Sequence, residues 1–323
     1  MEEKIIVWIP VFNEANYLAT TIQSVISQTY KNLHILISDN FSTDGSRDII
    51  EYFASKDNRI QVIRPNKHCP SLEHVRYIQK EILSIDHIAS LHMGGHDVLH
   101  TEYVERLVNK YLLNPSASII VPNGVRLSDD GKPEGYYPVF PQLKDTPAFT
   151  NPFVVFSSVG YMVPFYGLIP KKIMEAVSIR HLCYAADLLF IAEISLYGPV
   201  IVDESAVIYC RAQLQNDSGP AGGQMKKSVG VEYKIESAIE QYRLQLAWIR
   251  EIAIIGVKKF NWVNLDIYSV GLMGCYTARW APIQFSQIQG CNALELWMQS
   301  PEGICLGKGL VNINCKINEL LLG

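Results

Sequence analysis

The chain has no C-x-x-C pair, no G-x-G-x-x-G fingerprint, and no unbroken apolar run long enough to span a bilayer. Its seven cysteines (Cys69, Cys183, Cys210, Cys275, Cys291, Cys305 and Cys315) are odd in number and scattered. That pattern argues against a thiolate zinc site or a disulfide framework, and reads as reduced thiols of a cytoplasmic protein. Without a glycine fingerprint after a strand, nicotinamide chemistry is disfavoured. Gly303-Ile304-Cys305-Leu306-Gly307-Lys308-Gly309 is too short between glycines for a phosphate loop and lacks the hydroxyl residue that would follow.

Positive charge is also in deficit, with 28 Lys and Arg against 32 Asp and Glu and a net charge of -4. A broad nucleic-acid-binding face, which needs clustered basic residues, is therefore not expected. Residues 146–170 carry no charge, yet Pro147, Pro152, Gly160, Pro164, Gly167 and Pro170 interrupt them too often for a transmembrane helix. Met1-Glu2-Glu3-Lys4 leads directly into a strand, so no secretion leader is expected. No internal repeat is evident.

What is present suits a well-packed soluble protein. A chain of 323 residues, 48% hydrophobic, can bury one large core and carry a smaller appendage. Lys4–Pro10, Leu33–Ser38, Arg59–Ile63 and Ile88–His92 are short apolar runs that read as buried strands. Between them lie helical patterns: Leu18, Ile22, Val25 and Ile26, then Ser46–Ala54, Ser71–Leu83 and Thr101–Leu113. Alternating strands and helices imply an α/β sheet with helices on both faces and a ligand site beyond the strands' carboxyl ends.

Further strands are expected at Ser118–Pro122, Tyr166–Ile169, Val200–Val202 and Ala206–Arg211, with a hairpin turn at Asp129-Asp130-Gly131. Helices are expected over Lys171–Val177 and Asp187–Tyr197, and a long one from Val231 to Val257 opens a mainly helical tail. Asn216–Gly223 reads as a flexible loop, either a lid over the site or a linker into the tail. Tail aromatics such as Trp248, Trp262, Trp280 and Trp297 read as core, and His34, His87, His92, His100 and His181 as structural.

Polar clusters fall where the strands end. Pro10-Val11-Phe12-Asn13-Glu14 follows the first strand; Phe12 can stack on a base, while Asn13 and Glu14 can read polar edges or simply cap the next helix. Ser38-Asp39-Asn40-Phe41-Ser42-Thr43-Asp44-Gly45-Ser46 follows the second, with Asp39 placed to accept hydrogen bonds from a ribose or a base. At this spacing the two motifs together resemble the start of a family 2 glycosyltransferase with the GT-A fold, a likeness that fades toward residue 215.

The resemblance implies an inverting enzyme of the hexosyltransferase type, active in polysaccharide biosynthesis. It would take a nucleotide-sugar donor, UDP-sugar foremost, and a glycan or lipid-linked acceptor, working in the cytoplasm or at the inner face of the membrane. Pro10, Phe12, Asn13, Glu14 and Asp39 would line the nucleotide pocket. Asn66, Lys67 and the helix around His74 would border the ribose and diphosphate. The family's Asp-x-Asp motif falls on Gly94-Gly95-His96, with Asp97 matching the acid that often follows it.

Three readings of that departure stay open. His96 and Asp97 could hold Mn²⁺ or Mg²⁺ with phosphate oxygens and water completing the shell. Alternatively the site is metal-independent, and the amides of Gly94 and Gly95 with His96, Lys67 or Arg211 hold the diphosphate. The third is a degenerate, inactive site. Ala186-Asp187 resembles the family's Glu-Asp motif and makes Asp187 the general base, against the plainer reading of an acid at a helix N-terminus. Arg211 matches the arginine of an Arg-x-His motif whose histidine is here Gln213.

The expected architecture is a GT-A domain over residues 1–222 and a helical region over 223–323, the latter packing beside the acceptor or forming a homodimer. Two other function classes share such an α/β layout. A nucleotidyltransferase would show a Gly-rich, basic signature near residues 8–16, which is missing; a non-catalytic nucleotide- or carbohydrate-binding protein derived from a glycosyltransferase stays open.

Overall fold

The computed structural model describes residues 3–128, 130–158, 163–183, 185–211, 235–261 and 265–285. The loop expected at 216–223, Gln213, the glycine-rich segment 303–309, Trp262, Trp297 and the last three cysteines lie outside them, as does the side chain of Trp280.

The chain divides into two compact units. The first comprises Met1–Ala148, Ser158–Ile179 and Ile194–Gln215. Its centre is a five-stranded sheet of order β3-β2-β1-β4-β8, built from β1 (Ile5–Val11), β2 (Leu33–Asp39), β3 (Ile60–Ile63), β4 (Ala89–His92) and β8 (Ile169–Pro170). The first four pair in parallel and β8 runs antiparallel. β1 is central because nearly every residue in it is apolar and buried, which suits a strand covered on both faces. One face packs against Leu18, Ile22 and Val25 of α1 (Ala15–Ile26) and Ile50 of α2 (Ser46–Ala54). The other face, with Ile6, Trp8 and Leu36, meets Ile78 and Ile82 of α3 (Ser71–Ser84). Each such buried aliphatic contributes on the order of 2 kcal/mol.

A second sheet, of order β5-β9-β6-β7, contains β5 (Val98–Leu99), β6 (Ile119–Leu127), β7 (Pro133–Tyr136) and β9 (Val200–Arg211). α4 (Tyr103–Leu113) connects β5 to β6. β6 and β9 pair in parallel with a register shift, so that Pro122 faces Asp203 and Asn123 faces Val207. The two strands expected at 200–202 and 206–211 are thus one strand with an irregularity at the polar residues between them, where Asp203 accepts from the Ser205 amide and hydroxyl. The expectation of a strand over Tyr166–Ile169 is corrected here. Val163–Tyr166 forms a 3₁₀ turn, held by the Tyr103 hydroxyl donating to the Tyr166 carbonyl, and only Ile169–Pro170 is strand. Gly167 permits this path, since a Cβ there would sit 2.7 Å from the Ile120 carbonyl. α6 (Lys171–Ala176) follows β8.

The second unit gathers Phe149–Ser157, Arg180–Glu193 and the chain from Asn216 on. It holds most of α5 (Asn151–Ser158) and α7 (Ala186–Ile194), with α8 (Ile235–Phe260) and α9 (Leu265–Phe285). Phe156 packs edge-on against Tyr276, and Phe153 against Tyr268. Trp248 is fully buried, as the sequence suggests, and its indole donates to the Glu193 carboxylate at 2.8 Å. Glu193, also fully buried, is bridged by Arg180, whose Nε donates at 2.8 Å, and His181 meets Glu251 at 2.9 Å. Among the described residues, no helix is long and apolar enough to cross a membrane.

Removing Glu193 leaves the buried Trp248 indole without its acceptor, while the part-exposed Arg180 keeps Glu251. Glu193→Ala is expected to lower stability by about 1–3 kcal/mol in urea unfolding followed by tryptophan fluorescence, and Glu193→Gln, which keeps an acceptor for Trp248, by less.

Candidate active site

Two loops at the carboxyl ends of β1 and β2 interlock. Asn13 adopts a left-handed backbone (φ 56°), which asparagine tolerates better than most residues. Its amide donates to Ser42 Oγ at 3.0 Å and its Oδ1 accepts from the Thr43 amide at 2.8 Å. The Glu14 amide donates to Ser46 Oγ, and the Ala15 amide to Asp44 Oδ2, both at 2.9 Å. Asp44 therefore serves the start of α1; against a desolvation cost, its hydrogen bonds from Ser46 and Ala15 hold the carboxyl below its ordinary range.

Asp39 ends β2 fully buried. One carboxylate oxygen accepts from the Ser42 amide at 2.9 Å; the other faces Arg64 at 3.3 Å and Arg47 at 3.8 Å. These arginines were not singled out from sequence; Arg64, directly after β3, carried the available signal. Phe12 is 39% exposed, and its ring lies 4.5 Å from that of His68. Pro10 pairs with Ser38, whose hydroxyl meets His74 Nε2 at 2.7 Å. Burial pulls His74 down to about 4, opposed by the Asp39 charge and aided by His68. Asn66 and Lys67 lie exposed in the loop after β3.

The turn after β4 completes the arrangement. A Cβ on Gly94 would lie 2.5 Å from Asp97 Oδ2, and one on Gly95 would lie 2.9 Å from the Glu14 side chain, so each glycine makes room for an acid. His96 stands between those acids, with Nδ1 3.2 Å from Glu14 Oε1 and Nε2 3.8 Å from Asp97 Oδ1. Asp97 is fully buried. Its Oδ1 accepts from the Arg211 amide at 2.9 Å. Burial pushes the Asp97 carboxyl up, against the pull of His96, the Arg211 amide and a hydrogen bond with the Tyr166 hydroxyl. Arg211, the last residue of β9, donates from Nε to the His96 carbonyl at 3.1 Å and from Nη1 to the Ser128 carbonyl at 3.4 Å. Among the described residues, no three His, Cys, Asp or Glu side chains converge as a metal-holding group.

The first unit thus brings together Pro10, Phe12, Asn13, Glu14, Asp39, Gly94, Gly95, His96, Asp97 and Arg211 around the strand ends. Asp187 belongs to the second unit, in the first turn of α7. Its Oδ1 accepts from the Leu188 amide at 2.9 Å, and burial pushes its carboxyl up. Ala185, two residues before it, holds a left-handed backbone (φ 58°) that costs a non-glycine residue roughly 1 kcal/mol or more.

Residues 6–69, spanning β1 to β3, match the family model described as "Glycosyl transferase family 2". The structure resembles that of residues 1–349 of S. aureus TarS in complex with UDP, with a TM-score of 0.62 and 14% identity over 91% of this chain and 78% of that one. The fold is GT-A. Over 123 residues the chain is 32% identical to glycosyltransferase GlyA of Streptococcus pneumoniae, covering 38% of this chain and 17% of that protein. Over 89 residues it is 36% identical to the Escherichia coli UDP-Glc:alpha-D-GlcNAc-diphosphoundecaprenol beta-1,3-glucosyltransferase WfaP, covering 28% of this chain and 34% of that protein. The chain thus spans 17% and 34% of the length of these two curated relatives. Within the GT-A unit, the segment with the family signature is the one whose two loops interlock.

Gly94→Ala is expected to cost about 1–3 kcal/mol in urea unfolding, and the loss in a Gly94→Ala/Asp97→Ala double variant to fall short of the sum of the single losses, because the second change removes the group that the methyl strikes. A further expectation concerns pH. Unfolded histidine takes up a proton near 6.5, whereas His74 in the native protein stays neutral down to about 4. In that window the unfolded chain binds more protons, so stability falls as pH drops through it. Denaturant titrations between pH 7 and 4 should give a shallower fall for His74→Gln than for the unaltered protein.

Proposed function

We propose that the protein is a glycosyltransferase that moves a sugar from a nucleotide donor, UDP-sugar foremost, to an acceptor hydroxyl with inversion, in building a cell-surface glycan. The observation that carries this reading is the Gly94–Asp97 turn, with its histidine and buried carboxylate, one strand removed from Asp39 at the ends of parallel strands. The UDP complex of TarS and the undecaprenol-linked acceptor in WfaP's name support the donor and acceptor classes.

In this reading Phe12 stacks on the base, Asp39 and Glu14 hold the nucleoside, and Asn66 and Lys67 border the ribose and diphosphate. The amides of Gly94 and Gly95 and the Arg211 guanidinium face phosphate oxygens. The carboxylate of Asp97 and the imidazole of His96, 3.8 Å apart, fit a divalent cation as a two-donor site, with phosphate oxygens and water filling the other positions. Such an ion, Mn²⁺ or Mg²⁺, would offset charge on the leaving diphosphate. The acceptor oxygen attacks the anomeric carbon, the bond from that carbon to the diphosphate oxygen breaks, and the acceptor proton passes to Asp187. A carboxyl raised by burial suits that task, since its basicity lies nearer neutrality.

The same reading assigns donor chemistry to a GT-A region at residues 1–222 and acceptor handling or self-association to the helical region at 223–323. It places the work at the cytoplasmic face of a membrane that carries the acceptor.

Thermal-shift measurements with UDP, GDP, dTDP and CMP, with and without Mn²⁺, should single out one nucleotide that raises the melting temperature. Asp187→Asn should then lower sugar transfer by roughly 10²- to 10⁴-fold while leaving that thermal shift intact. Full transfer by this variant would remove the base assignment, and the absence of any nucleotide effect would overturn the glycosyl-transfer reading itself.

A further inference from the structure

Besides its apolar stripe, α1 carries a polar one. Tyr17, Thr21 and Ser24, with Gln28 just past the helix end, recur at spacings of four, three and four residues and so share one face. Each grips the segment that runs from β4 to α4, or its partner Arg211. The Arg211 guanidinium lies over the Tyr17 ring at 4.6 Å. Thr21, fully buried, donates its hydroxyl to two carbonyls of the turn, Asp97 at 2.8 Å and Gly95 at 3.1 Å. Ser24 Oγ accepts from the Leu99 amide at 3.2 Å. Gln28 donates to the His100 carbonyl at 2.8 Å and accepts from the Val104 amide at 3.0 Å.

We propose that this face of α1 is a positioning device for the Gly94–Asp97 turn, with Thr21 as its central positioning residue. The turn has no regular pairing of its own; between β4 and β5 its main chain makes one internal hydrogen bond, from the Asp97 amide to the Gly94 carbonyl at 3.3 Å. Two glycines make such a segment costly to order. The Thr21 hydroxyl ties down two of its four carbonyls from a helix whose adjacent face is locked into the core by Leu18, Ile22 and Val25. The turn therefore inherits the rigidity of the helix, and its amides and His96 are held where a diphosphate would meet them. Since α1 starts at the Asn13–Glu14 corner, the helix also sets the distance between the nucleoside end of the site and the diphosphate end.

The inference rests on the nucleotide-sugar reading, and its test separates the two. Affinities of the nucleoside diphosphate that gives the largest thermal shift, and of the matching free nucleoside, are measured by titration for the unaltered protein, Thr21→Val, Thr21→Ser and Ser24→Ala. Thr21→Val keeps the shape and removes the hydroxyl; it should weaken the diphosphate about tenfold and leave the nucleoside unchanged. Thr21→Ser should restore most of the affinity, and Ser24→Ala should show the same selective loss to a smaller degree. Equal weakening of both ligands by Thr21→Val, or none, would overturn the proposal. If Thr21→Val does not fold, Ser24→Ala decides by the same comparison. Should the unaltered protein bind no nucleoside diphosphate, the functional reading fails first and this inference goes with it.

Discussion

A hydrogen bond from the Arg211 amide to the Asp97 carboxylate joins the turn after β4 to the last residue of β9, 114 positions along the chain, beside a second from Arg211 Nε to the His96 carbonyl. The first is made in the interior, where an ionised carboxylate costs several kcal/mol unless it is paired. The Tyr166 hydroxyl adds to that pairing. The neighbours follow from that choice: Gly94 has no side chain because Asp97 occupies its place, and His96 sits within 3.8 Å because an imidazole can share the charge. An acid kept in so expensive a setting is best explained by a duty, and a bound cation or a pinned strand end would each supply one.

The family signature at the N-terminus carries a similar double meaning. Residues of the first motif bond to residues of the second: Asn13 to Ser42 and Thr43, Glu14 to Ser46, Ala15 to Asp44. Their spacing is therefore a folding constraint as well as a binding one. Each loop shapes the other and so exposes Phe12 and positions Asp39 between Ser42 and Arg64.

Much of this was legible beforehand because it is local. α2 spans the residues its periodicity indicates, and β1 and β2 read as buried strands from their unbroken apolar runs. The glycines of the turn and the acid beside them could be picked out as poor core material. Contacts between residues distant in sequence could not. Arg64 meets Asp39 from 25 positions away, and Thr21 reaches Gly95 from 74, distances at which no local pattern reports a partner. The parallel pairing of β6 with β9 is likewise set by tertiary packing, which is why one irregular strand read as two. A polar residue recurring on a helix already supplied with an apolar stripe was the overlooked clue to Thr21.

The composition of the second unit bears on how this protein can be taken apart. Its two internal pieces, Phe149–Ser157 and Arg180–Glu193, are interleaved with the sheet-bearing unit, while the helices they cluster with come at the end of the chain. Truncation after residue 222 would strip Glu193 of the Trp248 indole and Phe156 of the Tyr276 ring, leaving the peptide around Asp187 without its packing partners. A boundary at residue 222 therefore cuts through the second unit and does not fall between the two.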